Sequence, residues 1–246
     1  KIVGPVGRGE MQYAELWKTA QRLTQKPVKF GTVTAELVAF AVQDEHYKDI
    51  PSRIMAISDA FNEELHDLAD AGCPVIQIEE PQIHLLAAKG IIDKVLNPEF
   101  MLKVFNNTVR GLREKTEVWC HTCWGNPSQQ RMFAKVQSYK PALEVLNQVD
   151  ADVITFETRS SGAIDLEAIG KQITGKKIAI LVANEFEDIE LIYPILRLSE
   201  EGAEILVVPA RIGIHPRPYF ENKPISGRVG MPVPIPVMPE GKRYRM

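Results

Sequence analysis

Residues 120–126 read CHTCWGN, which places two of the chain's three cysteines on either side of one of its five histidines. The run that leads into them, TEVWCHTC (116–123), has the apolar and β-branched texture of a strand, where side chains alternate between faces. His121 and Cys123 then share a face, and Cys120 points to the other. An imidazole nitrogen and a thiolate sulfur at one point are half of a tetrahedral zinc site. Both stand near the strand's carboxyl end, where parallel α/β folds bind their ligands. A third donor has to come from the end of a neighbouring strand, and ADVITFETRSSG offers Glu157 at the corresponding position. An open fourth position would make such a site catalytic rather than structural. A plainer reading stays open beside this one: free cysteines are among the most buried residue types, so the cluster can be the packed interior of a strand. Trp119 and Trp124 read as packing residues.

The elements that must position these groups follow from periodicity. PVKFGTV (27–33), CPVIQIEEP (73–81), TEVWCHTC (116–123) and ADVITFE (151–157) are apolar along most of their length, as parallel strands covered on both faces are. Amphipathic stretches at 13–23, 52–72, 97–112 and 142–151 separate them, and Gly72 before Cys73-Pro74 supplies a helix stop. Repeated βα units predict an α/β fold with a parallel sheet. From 177 a compact β-α-β unit is expected: a strand at 177–183, a helix over about 188–201, Gly202, and a strand at 204–208. Prolines at 232, 234 and 236 keep the tail out of any central strand. The change of texture predicts two regions, 1–175 and 176–246.

Composition narrows the partners. With 45% hydrophobic and 25% charged residues, the chain has the makeup of a soluble globular protein. A net charge of -3 without a long basic run argues against nucleic acid and anionic membranes as partners. Apolar runs such as KIAILVA are too short to span a bilayer. Three cysteines, an odd number, argue against a disulfide framework and predict a reducing, cytoplasmic setting. The start on Lys1 and an apolar IVG, with no leader-like segment, leads to the expectation of a fragment or a processed product.

Four stretches in the same order, IVGPVGRGEMQYAELWKTAQRLTQKPVKFGTVT, DLADAGCPVIQIEEP, HTC and DADVITFET, resemble the carboxyl-terminal barrel of cobalamin-independent methionine synthases and related zinc-dependent thiol alkyltransferases. The resemblance implies a (β/α)8 barrel, Zn2+ as cofactor, and transfer of a methyl group from a methylated folate or similar donor to a homocysteine-like thiol. It assigns His121, Cys123 and Glu157 as zinc ligands. Glu79 stands where the family has the acid that contacts the amino group of homocysteine, with Glu for the usual Asp. Three departures accompany the likeness: no cysteine follows Cys123 to serve as the family's fourth ligand, the only later histidine is His215, and the family's IGS and GE segments that help bind homocysteine are expected to precede residue 1. Five strand candidates precede residue 175, one of them partial, where a closed barrel needs eight. Open sheet edges then predict self-association.

KKIAILVANEFEDIELIYPILRLSEEGAEILVVPA resembles the amino-terminal β-α-β of PfpI-type intracellular proteases and the Parkinson-disease deglycase, a flavodoxin-like superfamily. Glu187, in the EFED turn, matches that family's acid beside the nucleophilic cysteine, while the cysteine-bearing elbow has no match. The fold expectation is therefore a partial (β/α)8 TIM-type barrel followed by an incomplete flavodoxin-like βαβ unit. Because KKIAI answers to a strand of both families, two partial coding segments joined at that string are expected. The enzyme reading is a zinc-dependent thiol methyltransferase. Its alternative is a PfpI-like stress-response hydrolase or a noncatalytic interaction module.

Overall fold

Strands form where the apolar runs predict them. In the computed structural model, which describes residues 1–89, 95–125, 136–158, 161–183 and 188–210, these are β1 (Phe30–Val33), β2 (Val75–Glu79), β3 (Glu117–Thr122), β4 (Val153–Phe156), β5 (Lys177–Ala183) and β6 (Glu204–Ala210). They make one six-stranded sheet, parallel throughout, in the order of the chain. A doubly wound sheet reverses its strand order at a switch point. This one does not reverse, and unbroken succession of βα units in one direction is the winding of a (β/α)8 barrel. Among the described residues β1 and β6 each have one sheet neighbour, so the sheet is a six-stranded arc of such a barrel. The expected α/β fold with a partial barrel is what the chain adopts. Its partial first strand is reduced to a single parallel bridge, Ile2 to Asp44. β5 pairs with β4 from Val153↔Lys177 to Thr155↔Ala179, so the sheet runs on across residue 175.

Helices connect the strands: α1 (Tyr13–Gln21), α2 (Ala35–Ala41), α3 (Ile50–Asp70), α4 (Gln82–Lys89), α5 (Pro98–Thr108), α6 (Leu143–Leu146), α7 (Leu166–Gln172) and α8 (Asp188–Glu200). The long α3 starts where the Asp49 side chain accepts from the Ser52 N–H at 2.7 Å with Pro51 in the first turn. It stops at Gly72, whose φ of 98° only a residue without Cβ adopts cheaply. Asn97 and Pro98 start α5 in the same manner, the Asn97 oxygen accepting from Phe100 N at 2.8 Å. The helix expected over 142–151 is shorter: a 3-10 turn at Lys140–Ala142 followed by α6.

Alternation sorts the sheet's two faces. On one, Ile76, Ile78, Val118, Cys120, Ile154 and Ile178 pack against Leu65, Leu68 and Phe105 of α3 and α5 in the main core. Each large side chain buried there stabilises the fold by roughly 1.5–3 kcal/mol. On the other, a small apolar cluster of Trp119, Val153 and Ala179, joined by Val75, gives way to polar side chains toward the carboxyl ends of the strands. No helix among the described residues is long and apolar enough to cross a membrane.

Candidate functional site

The second face turns polar where β2, β3 and β4 end together. Register sets Glu79 beside His121 and His121 beside Thr155. The last printed pair, Thr122↔Phe156, makes Cys123 and Glu157 the next step along the same two strands. Glu79, His121, Cys123 and Glu157 are therefore brought to one face and one end of the sheet. Cys120 is fully buried on the opposite face, and Cys73 is buried in that same layer with its Sγ 3.3 Å from the Val75 carbonyl. Of the three cysteines only Cys123 is partly exposed. Glu187 and His215 lie outside the described residues.

Hydrogen bonds fix the end of β3 from both sides. Glu80 N donates to the His121 carbonyl at 2.8 Å, and Glu157 N donates to the Thr122 carbonyl at 3.2 Å. The Trp124 N–H donates to Glu157 Oε2 at 2.8 Å, tying that carboxylate to the backbone just after Cys123. His121 Nδ1 lies 2.6 Å from the Thr155 hydroxyl, an arrangement that orients the ring and leaves Nε2 for a ligand. Lys29 sits over the Trp119 ring, 4.4 Å from its centroid, and donates to Gln77 Oε1 at 2.6 Å.

Burial dominates the titration of these groups. It pushes the His121 imidazole below its ordinary value, with nearby Lys29 acting in the same sense and the carboxylates of Glu79 and Glu157 opposing. The neutral ring is the form that binds metals. Burial also pushes the Cys123 thiol up, as do the charges of Glu79 and Glu157, while a backbone hydrogen bond from Gly125 favours the thiolate. Two carboxylates beside a protonated thiol are an environment that a cation would invert. The donors fit zinc by type and by face. They are not gathered as they stand: no three His, Cys, Asp or Glu side chains among the described residues are close enough together to hold a metal ion.

Behind the sheet end lies a second acidic feature that the sequence reading did not single out. Glu80 and Glu36 are both fully buried. Glu80 Oε1 caps α4, accepting from Gln82 N at 2.8 Å and Ile83 N at 3.0 Å, while Glu80 Oε2 and both Glu36 carboxyl oxygens have no hydrogen-bond partner within normal geometry among the described residues. Burial raises both carboxyl pKa values, Glu80 well above the usual range, where the adjoining Glu36 adds to the effect. The folded state thus holds protons that the unfolded chain releases near ordinary glutamate values. This contribution to stability is full below that range and is lost as pH rises through the raised folded values. Glu80→Gln keeps a capping oxygen and cannot ionise. Its melting temperature is expected to match wild type near pH 4 and to exceed it increasingly toward pH 9. Thermal unfolding curves that stay parallel across that range would contradict the assignment.

Two further residues went unread. Thr155 could have been found from alternation, since it precedes Glu157 by two and must share its face. His84, on α4, is fully buried, and its Nε2 lies 2.9 Å from the Cys123 carbonyl. It stacks edge-on to Trp124, with centroids 4.7 Å apart, and both rings adjoin Tyr139. Nothing local in QIHLLAAK signals that contact.

Known proteins resemble this arrangement at the level of sequence and of fold. The chain is 32% identical over 168 residues to the 5-methyltetrahydropteroyltriglutamate-homocysteine methyltransferase of Thermotoga sp. (strain RQ2), an overlap covering 66% of this chain and 21% of that protein. Against the enzyme of the same name from Ralstonia pickettii (strain 12J), it is 30% identical over 173 residues, covering 69% and 20%. It spans about a fifth of the length of these curated relatives. The solved structure of a B12-independent methionine synthase from Shewanella sp. W3-18-1, in complex with selenomethionine, shares the fold with a TM-score of 0.66 at 22% identity, over 84% of this chain and 61% of that one. The profile of the cobalamin-independent synthase catalytic domain matches residues 2–184, a span that runs from the first bridge through β5 and includes Glu79, His121, Cys123 and Glu157. A match of that extent decides membership: the chain belongs to the cobalamin-independent synthase family, within its catalytic domain.

Proposed function

We propose that this chain carries the site of a zinc-dependent thiol methyltransferase, with Zn2+ held by His121, Cys123 and Glu157. The acceptor is a homocysteine-like thiol whose amino group meets Glu79, and the donor is a methylated folate or a similar carrier. The observation that supports this reading is the register of β2, β3 and β4, which pairs Glu79 with His121 and leaves Cys123 and Glu157 one step beyond the last pair of β3 and β4. The names of the family and of the relatives support the reaction class.

Zinc bound there would supply stabilisation of a substrate thiolate at neutral pH. The chain's own residues do the rest. Thr155 holds the His121 ring by its Nδ1, and the Trp124 N–H holds one oxygen of Glu157. Burial keeps His121 neutral and ready to donate its lone pair. Glu79, across from His121, is placed to meet an ammonium group at the strand end, and holding the acceptor in that register converts a bimolecular encounter into an oriented one.

Metal content of freshly purified protein, measured by mass spectrometry, tests the ligand set. One zinc per chain is expected, lost in Cys123→Ser and retained in Cys120→Ser and Cys73→Ser, whose sulfurs lie in the other layer. Folded wild type without zinc, or equal loss in the Cys120 and Cys123 variants, would refute it. Methyl transfer to homocysteine, assayed on the same preparations, tests the acceptor.

A further inference from the structure

We propose that His84 is the positioning residue for Cys123: a buried imidazole on α4 that grips the Cys123 backbone and thereby aims its thiol. This rests on the ligand set proposed above for its consequence in metal binding, though not for its geometry. The backbone at the end of β3 is held carbonyl by carbonyl. The His121 carbonyl accepts from Glu80 N, and the Thr122 carbonyl accepts from Glu157 N and, at 3.3 Å, from the Tyr139 hydroxyl. With the Cys123 carbonyl the strand has already ended, and His84 Nε2 at 2.9 Å takes the place of the missing ladder donor.

A carbonyl can only accept, so Nε2 carries the proton and Nδ1 the lone pair. His84 Nδ1 is buried without a hydrogen-bond partner among the described residues. A buried polar atom left unmatched costs about 1–3 kcal/mol, and a leucine at this place on the apolar side of α4 would avoid that cost. What histidine adds is the one bond to Cys123. Two residues on, Gly125 takes a φ of 91°, a left-handed turn of the backbone out of the extended range. Holding the Cys123 carbonyl before that turn fixes the rotation about its Cα–C bond, and with it the direction in which the side chain leaves the backbone. Trp124 and Tyr139, packed on the same imidazole, keep the ring from swinging out of reach.

Three forms of the full chain decide this: wild type, His84→Phe, which keeps an aromatic ring and loses the donor, and His84→Gln, whose amide N–H can reach the same carbonyl. Two readings are taken, zinc affinity by competition with a chromophoric chelator and the iodoacetamide alkylation rate of Cys123 in zinc-free protein, located by peptide mass spectrometry. H84F is expected to weaken zinc binding by about 10–100-fold, the range found for partners that orient a ligand, and to alkylate Cys123 several-fold faster. H84Q is expected to restore both. Cys73 and Cys120 should remain unreactive throughout, because a general loosening of the fold would expose them too. Wild-type affinity and Cys123 reactivity in H84F would overturn the proposal, as would alkylation of all three cysteines together. If wild type itself binds no zinc, the ligand set fails while the alkylation comparison still judges His84. Should H84F not fold, His84→Met fills the same space flexibly without a donor and carries the same comparison.

Discussion

Glu157→Gln is expected to strip zinc from the protein without unfolding it. The substitution is chosen because one oxygen of Glu157 accepts from Trp124 N at 2.8 Å, and a glutamine oxygen can accept the same bond. What disappears is the charge and one of three donors. Loss of a group that merely orients a ligand costs about 10–100-fold in metal affinity, so loss of a ligand itself is expected to cost more. Stability of the zinc-free protein should change by about 1 kcal/mol or less, since a charge-assisted bond becomes a neutral one rather than vanishing. Glu157→Asp is the instructive contrast: it keeps the charge but shortens the reach to Trp124, so it should disturb the local backbone as well. Wild-type zinc content in the Gln variant would remove Glu157 from the site.

Trp124→Ala is expected to lower the unfolding free energy by about 3–5 kcal/mol, the usual cost of emptying a large aromatic site. Domains of this kind are stable by only about 5–15 kcal/mol, so the variant should unfold at a much lower urea concentration. Trp124 is fully buried, 5.0 Å from Tyr139 and 4.7 Å from His84 between ring centroids. Its indole Nε1 has no hydrogen-bond partner among the described residues. Trp124→Phe therefore gives up ring volume but also removes an unmatched N–H, and should cost clearly less than the alanine variant. Equal losses for Phe and Ala would mean that the indole nitrogen contributes after all, and a loss below about 1 kcal/mol in the alanine variant would contradict tight packing of the ring.

Much of this architecture could be read before any coordinates, for physical reasons that also explain the gaps. The strands announced themselves by apolar and β-branched runs: VITF is buried at its first three positions, while VIQIE buries Ile76 and Ile78 on one face and leaves Glu79 exposed at its end. α2 and α4 did not: at seven and eight residues, a repeat of 3.6 has scarcely two turns in which to appear. The start of α4 was hidden further because its cap is Glu80, reaching forward across Pro81, instead of a Ser, Thr, Asp or Asn at the boundary. A change of texture sets in at the strand 177–183, and nothing in a strand's own composition names the strand it will pair with; here β4 is its neighbour. At the candidate site, alternation was enough to put His121 and Cys123 on one face and Cys120 on the other. Glu79 was visible only through family likeness. His84 was out of reach by sequence, because its bond to the Cys123 carbonyl spans 39 positions and leaves no periodic trace in α4.

A sheet whose spatial order repeats its order in the chain has a bearing on how the molecule is made. Each new strand emerging from the ribosome finds its partner already in place, one βα unit upstream, and never has to wait for a segment still untranslated. The loops closed at each step are those of single crossovers, so the entropy of bringing partners together is spent in small instalments during synthesis. The tips of β2, β3 and β4 can then be in register before β5 is added, and with them the residues proposed to grip a metal.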